Sequence, residues 1–270
     1  MAPFLSRQQR FAVVGSTNDV VRGWLAEGTP EVCLAVADEQ TAGRGRNGRS
    51  WTAPSGAALL LSLGFRPGWL APEQVWRLAA TVSLAMADAA EEVAGLADRQ
   101  ISLKWPNDLY AAAADGEPRK LAGVLGETDG LGGPEPRAVI GIGVNADWVA
   151  DAFPLELATT MTSLREASHG RPIDLAMLLD AFLSRLEVRI EALRGGRFDV
   201  ADWTERQLTT GRAIELEQPD GTRSRHRALG VDVGSGGLVV DDPSATAGER
   251  IVHVGEIRRV RLAGGAQVTV

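Results

Sequence analysis

Residues 38–51 read DEQTAGRGRNGRSW, and what lies on either side of them decides the fold. The run VCLAVADEQ that leads into this stretch and the run AALLLSLGF that follows it are both apolar and of strand length, so the glycine–arginine segment joins two strands. This matters because Gly43 to Gly48 formally matches G-x-G-x-x-G. A dinucleotide fingerprint has to open a helix, whereas here Trp51, Pro54 and Gly56 lead into another strand, and the dinucleotide reading is rejected. Gly43, Gly45 and Gly48 let the backbone approach a ligand closely. Arg44, Arg46 and Arg49 offer planar, bidentate contacts to carboxylate or phosphate. Taken alone, the same residues also describe a solvated basic loop. The glycines, alanines and like charges of residues 41–56 give little to pack, so the segment is expected to be mobile without ligand.

Upstream, FAVVGSTNDVVRGWLAEG predicts a strand followed by a helix, with Ser16, Thr17 or Asn18 capping the helix start and Gly28 at its end. Downstream, Pro72 starts a long helical pattern through Val75, Leu78, Val82 and Met86 to about Gly95. ISLKWP, DLYAAA, KLAGVLGET and RAVIGIGVNAD then predict four neighbouring strands with mainly hairpin connections, in a mixed or antiparallel sheet. A second long helix is expected from Pro172 to Gly195. Beyond TERQLTTG the helical period disappears. RAIELEQ, RHRALGVDV, GLVVDD and IVHVGEIRRVRL read as short strands of a separate β module from about residue 208.

Composition narrows the function. The 270 residues are 44% apolar, enough for a sizeable core, and the net charge of −7 argues against a protein built for bulk contact with nucleic acid. Cys33 is the sole cysteine and is expected to be a core thiol, with no disulfide or thiolate metal site. The beginning MAPFLSRQQRFAVVGST has no signal-peptide h-region, and no apolar run reaches membrane-spanning length, so a cytoplasmic location is expected. His169, His226 and His253 are too scattered to suggest a ligand set or a Ser/His triad.

Three further segments carry possible chemistry. In Lys104-Trp105-Pro106-Asn107-Asp108, a rigid proline sits between a strand and two short polar side chains, suited either to presenting an amide and a carboxylate or to a plain turn. Lys120 enters the strand LAGVLGE, where Gly123 leaves room for a ligand. Asn145 ends the next strand after Gly141 and Gly143. An exposed strand-end lysine and a turn asparagine are the plainer readings of these two.

Taken together and in order, GSTN (15–18), DEQTAGRGRNGRSW (38–51), KWPNDLY (104–110), KLAGVLGE (120–127) and GIGVN (141–145) resemble the biotin–protein ligase family, densely over about residues 11–165. The resemblance implies an α+β fold: a class II aminoacyl-tRNA synthetase-like mixed sheet with flanking helices over residues 1–207, and a small SH3-like C-terminal β barrel over 208–270. It implies a short form, since 14 residues before Gly15 are too few for a DNA-binding unit, and hence no DNA partner.

The implied activity is activation of biotin by ATP to biotinyl-5′-AMP, then transfer to one lysine of a biotin carboxyl carrier domain of acyl-CoA carboxylases. By residue match, Ser16, Thr17, Asn18, Gln40, Arg44, Gly45, Arg46, Lys120, Gly123 and Gly141 would hold biotin. Arg46, Arg49, Trp51, Asn107, Lys120 and Asn145 would hold ATP, and Lys120, Arg44 and Arg46 would serve the chemistry. No dedicated metal site is implied, only Mg²⁺ near Asn107 and Asp108. No membrane partner is expected, and the chain is expected to be a monomer or weak homodimer. A lipoate or octanoyl ligase or transferase, and a non-catalytic biotin sensor, are the alternatives.

Overall fold

The computed structural model describes residues 3–106, 108–253, 256–261 and 267–269. Its first sheet has strands β1 (Arg7–Val14), β2 (Cys33–Gln40), β3 (Ala58–Phe65), β4 (Ser102–Lys104), β5 (Asp108–Ala112), β6 (Pro118–Asp129) and β7 (Arg137–Asn145) in the order β1-β2-β3-β7-β6-β5-β4. Only the β1–β2 pair is parallel; the rest are antiparallel, and β4 to β7 form the expected run of neighbours. The helices are α1 (Thr17–Ala26), α2 (Trp76–Ala94), α3 (Leu155–Ala158), α4 (Leu164–Ala167), α5 (Leu175–Arg194) and α6 (Val200–Glu205). Among the described residues no helix is long and apolar enough to cross a membrane.

Strand alternation shows how the layers are arranged. In β2, Leu34 and Val36 join the core that α2 and α5 cover, while Cys33 and Ala35 pack with Val21, Trp24 and Leu25 of α1. Helices therefore cover both faces, which is why β2 and β3 read as unbroken apolar runs instead of alternating ones. Burial pushes the Cys33 thiol up to about 11, as a core thiol should be. α1 spans only part of its face, contacting β2, β3 and β7. The uncovered remainder, over β6 and the end of β7, is where the cavity described below lies.

Helix ends differ in detail from the sequence reading. Gly95 (φ 56°) terminates α2 in the left-handed conformation, as expected of a C-terminal glycine. The fifth helix starts at Leu175 instead of Pro172, because Asp174 accepts from the amides of Ala176 and Met177 and sets the first turn. Ser16 is the N-cap residue of α1 but makes no side-chain cap. Gln40, arriving from β2, accepts from the Thr17 amide at 2.8 Å and does that work from outside the helix. α3, α4 and α6 are too short, at 4, 4 and 6 residues, to show a helical period, and the sequence reading missed them.

The C-terminal strands are β8 (Ala213–Glu217), β9 (Arg223–Val231), β10 (Leu238–Asp241), β11 (Glu249–Val252), β12 (Glu256–Arg261) and β13 (Gln267–Thr269). They form a six-stranded antiparallel sheet in the order β11-β10-β9-β8-β12-β13 with its own core. IVHVGEIRRVRL, read as one strand, contributes two. Trp105, from the turn between β4 and β5, is buried in this second core and donates from Nε1 to the Gly236 carbonyl at 3.0 Å.

The chain is fastened to the β4 edge on its way into the second sheet. Leu103 donates to the Arg206 carbonyl and accepts from the Leu208 amide, both at 2.7 Å. The Arg206 side chain, 1% exposed, donates to Asp202, Glu91, Asp88 and the Ile101 carbonyl. Burial works against its charge, but the hydrogen bonds and charges of Glu91 and Asp202 outweigh it and raise its pKa. Removing one partner of such a buried cluster strands the others. Arg206→Ala is expected to destabilise the protein by about 3–5 kcal/mol in urea unfolding, with part of the loss recovered by adding Glu91→Gln; an unchanged midpoint for the single variant would show the cluster to be dispensable.

Candidate active site

The floor of the cavity is a patch without side chains. Gly141 and Gly143 of β7 and Gly123 of β6 lie on the α1 face, with Gly123 and Gly143 directly paired across the strands. A Cβ on Gly141 would stand 2.2 Å from Asn18 Oδ1, and one on Gly143 would stand 2.5 Å from the Trp51 indole. The recess is about 270 Å³ and is lined by Ser16, Thr17, Asn18, Gln40, Arg44, Gly45, Arg46, Arg49, Trp51, Lys120, Gly123 and Gly141. The sequence reading named all of these from segments far apart in the chain.

One wall is polar and closed on itself. Gln40 Oε1 accepts from the Thr17 amide at 2.8 Å and lies 3.1 Å from the Thr17 hydroxyl. Thr17 Oγ1 and Ser62 Oγ share a hydrogen bond of 2.7 Å, Ser62 donates to Asn18 Oδ1 at 2.6 Å, and Asn18 Nδ2 donates to Glu127 at 2.7 Å. Ser62 was missed by sequence reading. Its signal was a lone hydroxyl inside ALLLSLGF, at a position facing α1. A buried chain of this kind fixes side-chain orientations before any ligand arrives.

The arginine segment closes as a hairpin. Arg44 and Ser50 form an antiparallel bridge, the Gly45 amide donates to the Arg49 carbonyl, and the Trp51 amide donates to the Gly43 carbonyl. Asn47 takes the left-handed conformation at φ 56°, which asparagine tolerates. The Arg44 guanidinium makes two bonds of 2.7 Å to Asp19 and approaches Glu127 at 3.7 Å. Hydrogen bonds from Arg44, then its charge and that of Arg22, outweigh partial burial and hold the Asp19 carboxyl below its ordinary value. Arg44 is thus tied to the first turn of α1, an anchor the sequence reading did not foresee.

Lys120 stands at the other side of the floor. Its strand pairs with Tyr110 of β5, but β7 has already ended at Asn145, so the segment around Met161 fills the vacated edge. Lys120 donates its amide to the Thr160 carbonyl and accepts from the Thr162 amide, each at 2.9 Å. The ammonium lies 2.7 Å from Asp108 Oδ1 and 5.6 Å from the centroid of the Trp51 ring. Leu157, Thr160 and Met161 complete the rim, and Lys104 and Tyr110 line the adjoining wall. Lys104 and Tyr110 belong to the KWPNDLY segment but are not among the expected site residues, and Leu157, Thr160 and Met161 lie in no motif.

Of two further expected ligand residues, only Asn145 falls among the described residues. Asn107 lies outside the described residues. Asn145 is buried and is not among the cavity-lining residues; its Nδ2 donates to the Thr162 carbonyl, which fastens the segment that fastens Lys120. It sits at the strand end, where the backbone turns away from the floor. Among the described residues no group of three His, Cys, Asp or Glu side chains is placed to hold a metal, and Asp108 is the one carboxylate lining the cavity.

The family model for the biotin/lipoate A/B protein ligase family matches residues 10–145. A biotin–[acetyl-CoA-carboxylase] ligase of Mycobacterium tuberculosis is 32% identical over 253 residues, covering 93% of this chain and 88% of that protein. A biotin–[acetyl-CoA-carboxylase] ligase of Paracoccus denitrificans is 32% identical over 239 residues, covering 86% and 92%. In fold, the chain is similar to a biotin protein ligase from Aquifex aeolicus in complex with biotin and ATP, with TM-score 0.75, 24% identity and coverage of 94% and 98%.

The Asp19–Arg44 pair makes a testable anchor. Asp19→Asn is expected to speed tryptic cleavage between residues 44 and 49 about two- to fivefold at pH 8, the scale of an exposed bidentate pair. Because the Asp19 pKa is lowered on folding, the anchor is present above the unfolded carboxylate value of roughly 3.9 and is lost as pH falls through the lower folded value. Hydrogen-exchange protection of residues 43–51, corrected for intrinsic rates, should therefore stay level from pH 8 to pH 5; a steady decline over that range would sink this account.

Proposed function

The chain belongs to the biotin/lipoate A/B protein ligase family, and on that premise we propose that it is a biotin–protein ligase. It joins biotin to ATP, giving biotinyl-5′-AMP and pyrophosphate, and passes the biotinyl group to a lysine of a biotin carboxyl carrier domain, releasing AMP. The observation that carries this reading is convergence: the arginine hairpin and Lys120 meet over one glycine floor beside the polar Thr17–Ser62–Asn18 wall.

The ureido head of biotin fits the polar wall, where Ser16, Thr17, Asn18 and Gln40 offer fixed donors and acceptors, and the glycine floor at Gly123 and Gly141 takes the flat bicycle. A ligand lacking the ureido group would have no donors and acceptors to exchange with this pre-oriented wall, which favours biotin over lipoate. In the first step a carboxylate oxygen attacks the α-phosphorus and the bond to the departing pyrophosphate breaks. Negative charge grows on the phosphate oxygens, where Lys120 and the guanidiniums of Arg44 and Arg46 stabilise it. Arg49 and Trp51 would belong to the nucleotide side of the cavity; the resemblance also assigns Asn107 and Asn145 to ATP, and Asn145 would serve there only through the Thr162 segment it fastens. Mg²⁺ would screen the triphosphate charge; it would come with ATP, with Asp108 as its protein contact, since the lining holds no other described carboxylate.

In the second step the neutral ε-amine of the acceptor attacks the acyl carbon and AMP departs. Asp108, held against Lys120, is the nearest carboxylate to accept or orient the amine proton. The closed hairpin would keep water from the mixed anhydride.

The same reading divides the chain into a class II synthetase-like catalytic domain, residues 1–207, and an SH3-like module, residues 208–270. It places the protein in the cytoplasm, as a monomer or weak homodimer. The net charge of −7 suits it to a protein partner rather than DNA.

Incubation with ATP, Mg²⁺ and either labelled biotin or labelled lipoate, with and without a carrier domain, tests the proposal. Biotin-dependent pyrophosphate release and carrier labelling are expected; lipoate turnover at equal or higher kcat/KM would replace biotin by lipoate in this assignment. Lys120→Ala should lower single-turnover biotinyl-AMP synthesis by about 10²–10³-fold while the circular dichroism spectrum is kept. Normal adenylate synthesis by that folded variant would remove Lys120 from the chemistry.

A further inference from the structure

Gly143 lies inside β7, between Leu60 of β3 and Gly123 of β6. Its backbone is not in the left-handed region, so no φ requirement calls for glycine there. A glycine inside a strand costs stability through lost packing and greater freedom in the unfolded chain. Space is the remaining reason, and the neighbours show what needs it. A Cβ at 143 would stand 2.5 Å from both Cε2 and Nε1 of Trp51 and 2.9 Å from Cζ2, distances that require the indole to lift. At Gly123 the corresponding approach is 3.1 Å, to the Trp51 edge, which small shifts accommodate.

The Trp51 ring is held there by shape. Its buried Nε1 has no hydrogen-bond partner among the described residues, so no polar contact sets the ring's place. Its backbone, however, closes the arginine hairpin through the bond to Gly43, and the Lys120 ammonium stands over its ring. A lifted indole would therefore pull on the residue whose backbone closes the hairpin beside Lys120.

We propose that Gly143 is a positioning residue: its missing side chain is the seat that lets Trp51 settle and so brings the arginine hairpin into register with Lys120 for the nucleotide-dependent step. This rests on the reading of the cavity as an ATP-dependent acyl-activating site. Biotin alone, bound at the Gly141 end of the floor beside Asn18, should feel the seat much less than ATP does.

The test is a double-mutant cycle of Gly143→Ala and Trp51→Ala on the full chain. Gly143→Ala is expected to raise KM for ATP about tenfold or more while changing the biotin Kd less than about threefold. In the Trp51→Ala background, the same glycine substitution should cost less than about twofold further, because the clash is gone. A second readout needs no activity: tryptic cleavage between residues 44 and 49 of the ligand-free protein should speed up in Gly143→Ala, and not further in the double variant. Equal costs of Gly143→Ala in both backgrounds, in KM and in proteolysis, would overturn the seat. If the wild type does not activate biotin with ATP, the functional reading fails, and the proteolysis cycle still decides whether Trp51 sits on Gly143.

Discussion

Everything on the working face of this protein has to fit into a recess made by subtraction. Elsewhere the first sheet is covered by helices on both faces, and its strands are filled with Leu, Ile, Val and Ala. At Gly123, Gly141 and Gly143 that filling stops on one face. Asn18 can lie over Gly141, and Trp51 over Gly143, only because neither position carries a Cβ. The start of α1 and the end of the arginine hairpin are therefore both located by what the sheet lacks. A cavity defined in this way is rigid, since its floor is paired backbone and not mobile side chain.

The same constraint explains what could be read from the sequence. The glycine–arginine segment, GSTN, KLAGVLGE and GIGVN announce themselves because close approach demands particular residues at particular places, glycine above all. Strand-length apolar runs and long helical periods gave the sheet order from β4 to β7 and the helices α2 and α5. What stayed illegible depended on distant partners. The cap of α1 comes from Gln40 on another strand, so a local search around Ser16 could not find it. Ser62 looks like one impurity in an apolar run until Thr17 and Asn18 are seen against it. Asn145 ends its strand as a ligand residue might, yet its amide is committed to Thr162. Short helices such as α3 carry no period for a pattern to detect.

Lys120 shows how tertiary pairing positions a charge that its own strand would leave loose. β6 outruns β7 at this end, which would make Lys120 an edge residue with one free backbone side. The 160–162 segment occupies that side with two hydrogen bonds, and Asn145 and Glu166 in turn bind Thr162. On the opposite flank, Tyr110 pairs with Lys120 from β5, and the β4–β5 turn next to it is pinned by Trp105 in the second core. Trp105 thus joins the hairpin beside the lysine to the core of the C-terminal sheet.

The charges of the site are arranged so that substrate binding is an exchange of partners. Arg44 is already satisfied by Asp19, and Lys120 by Asp108. A bare cluster of cations around an empty recess would repel itself and pull the hairpin apart; pre-pairing removes that cost and sets each cation within reach of the floor. An incoming carboxylate or phosphate then has to outcompete one carboxylate at each position. At Lys120 a phosphate oxygen would share or replace Asp108, whose carboxylate lies 2.7 Å from the ammonium and is largely enclosed. Asp19 lies on the outer side of Arg44, 49% exposed, so water can hydrate it when the guanidinium turns inward. Asp108 by contrast is 17% exposed, so the proposed role of base falls to the enclosed acid and not to the solvated one. The two ion pairs are alike in distance and differ in consequence because of where their acids are left.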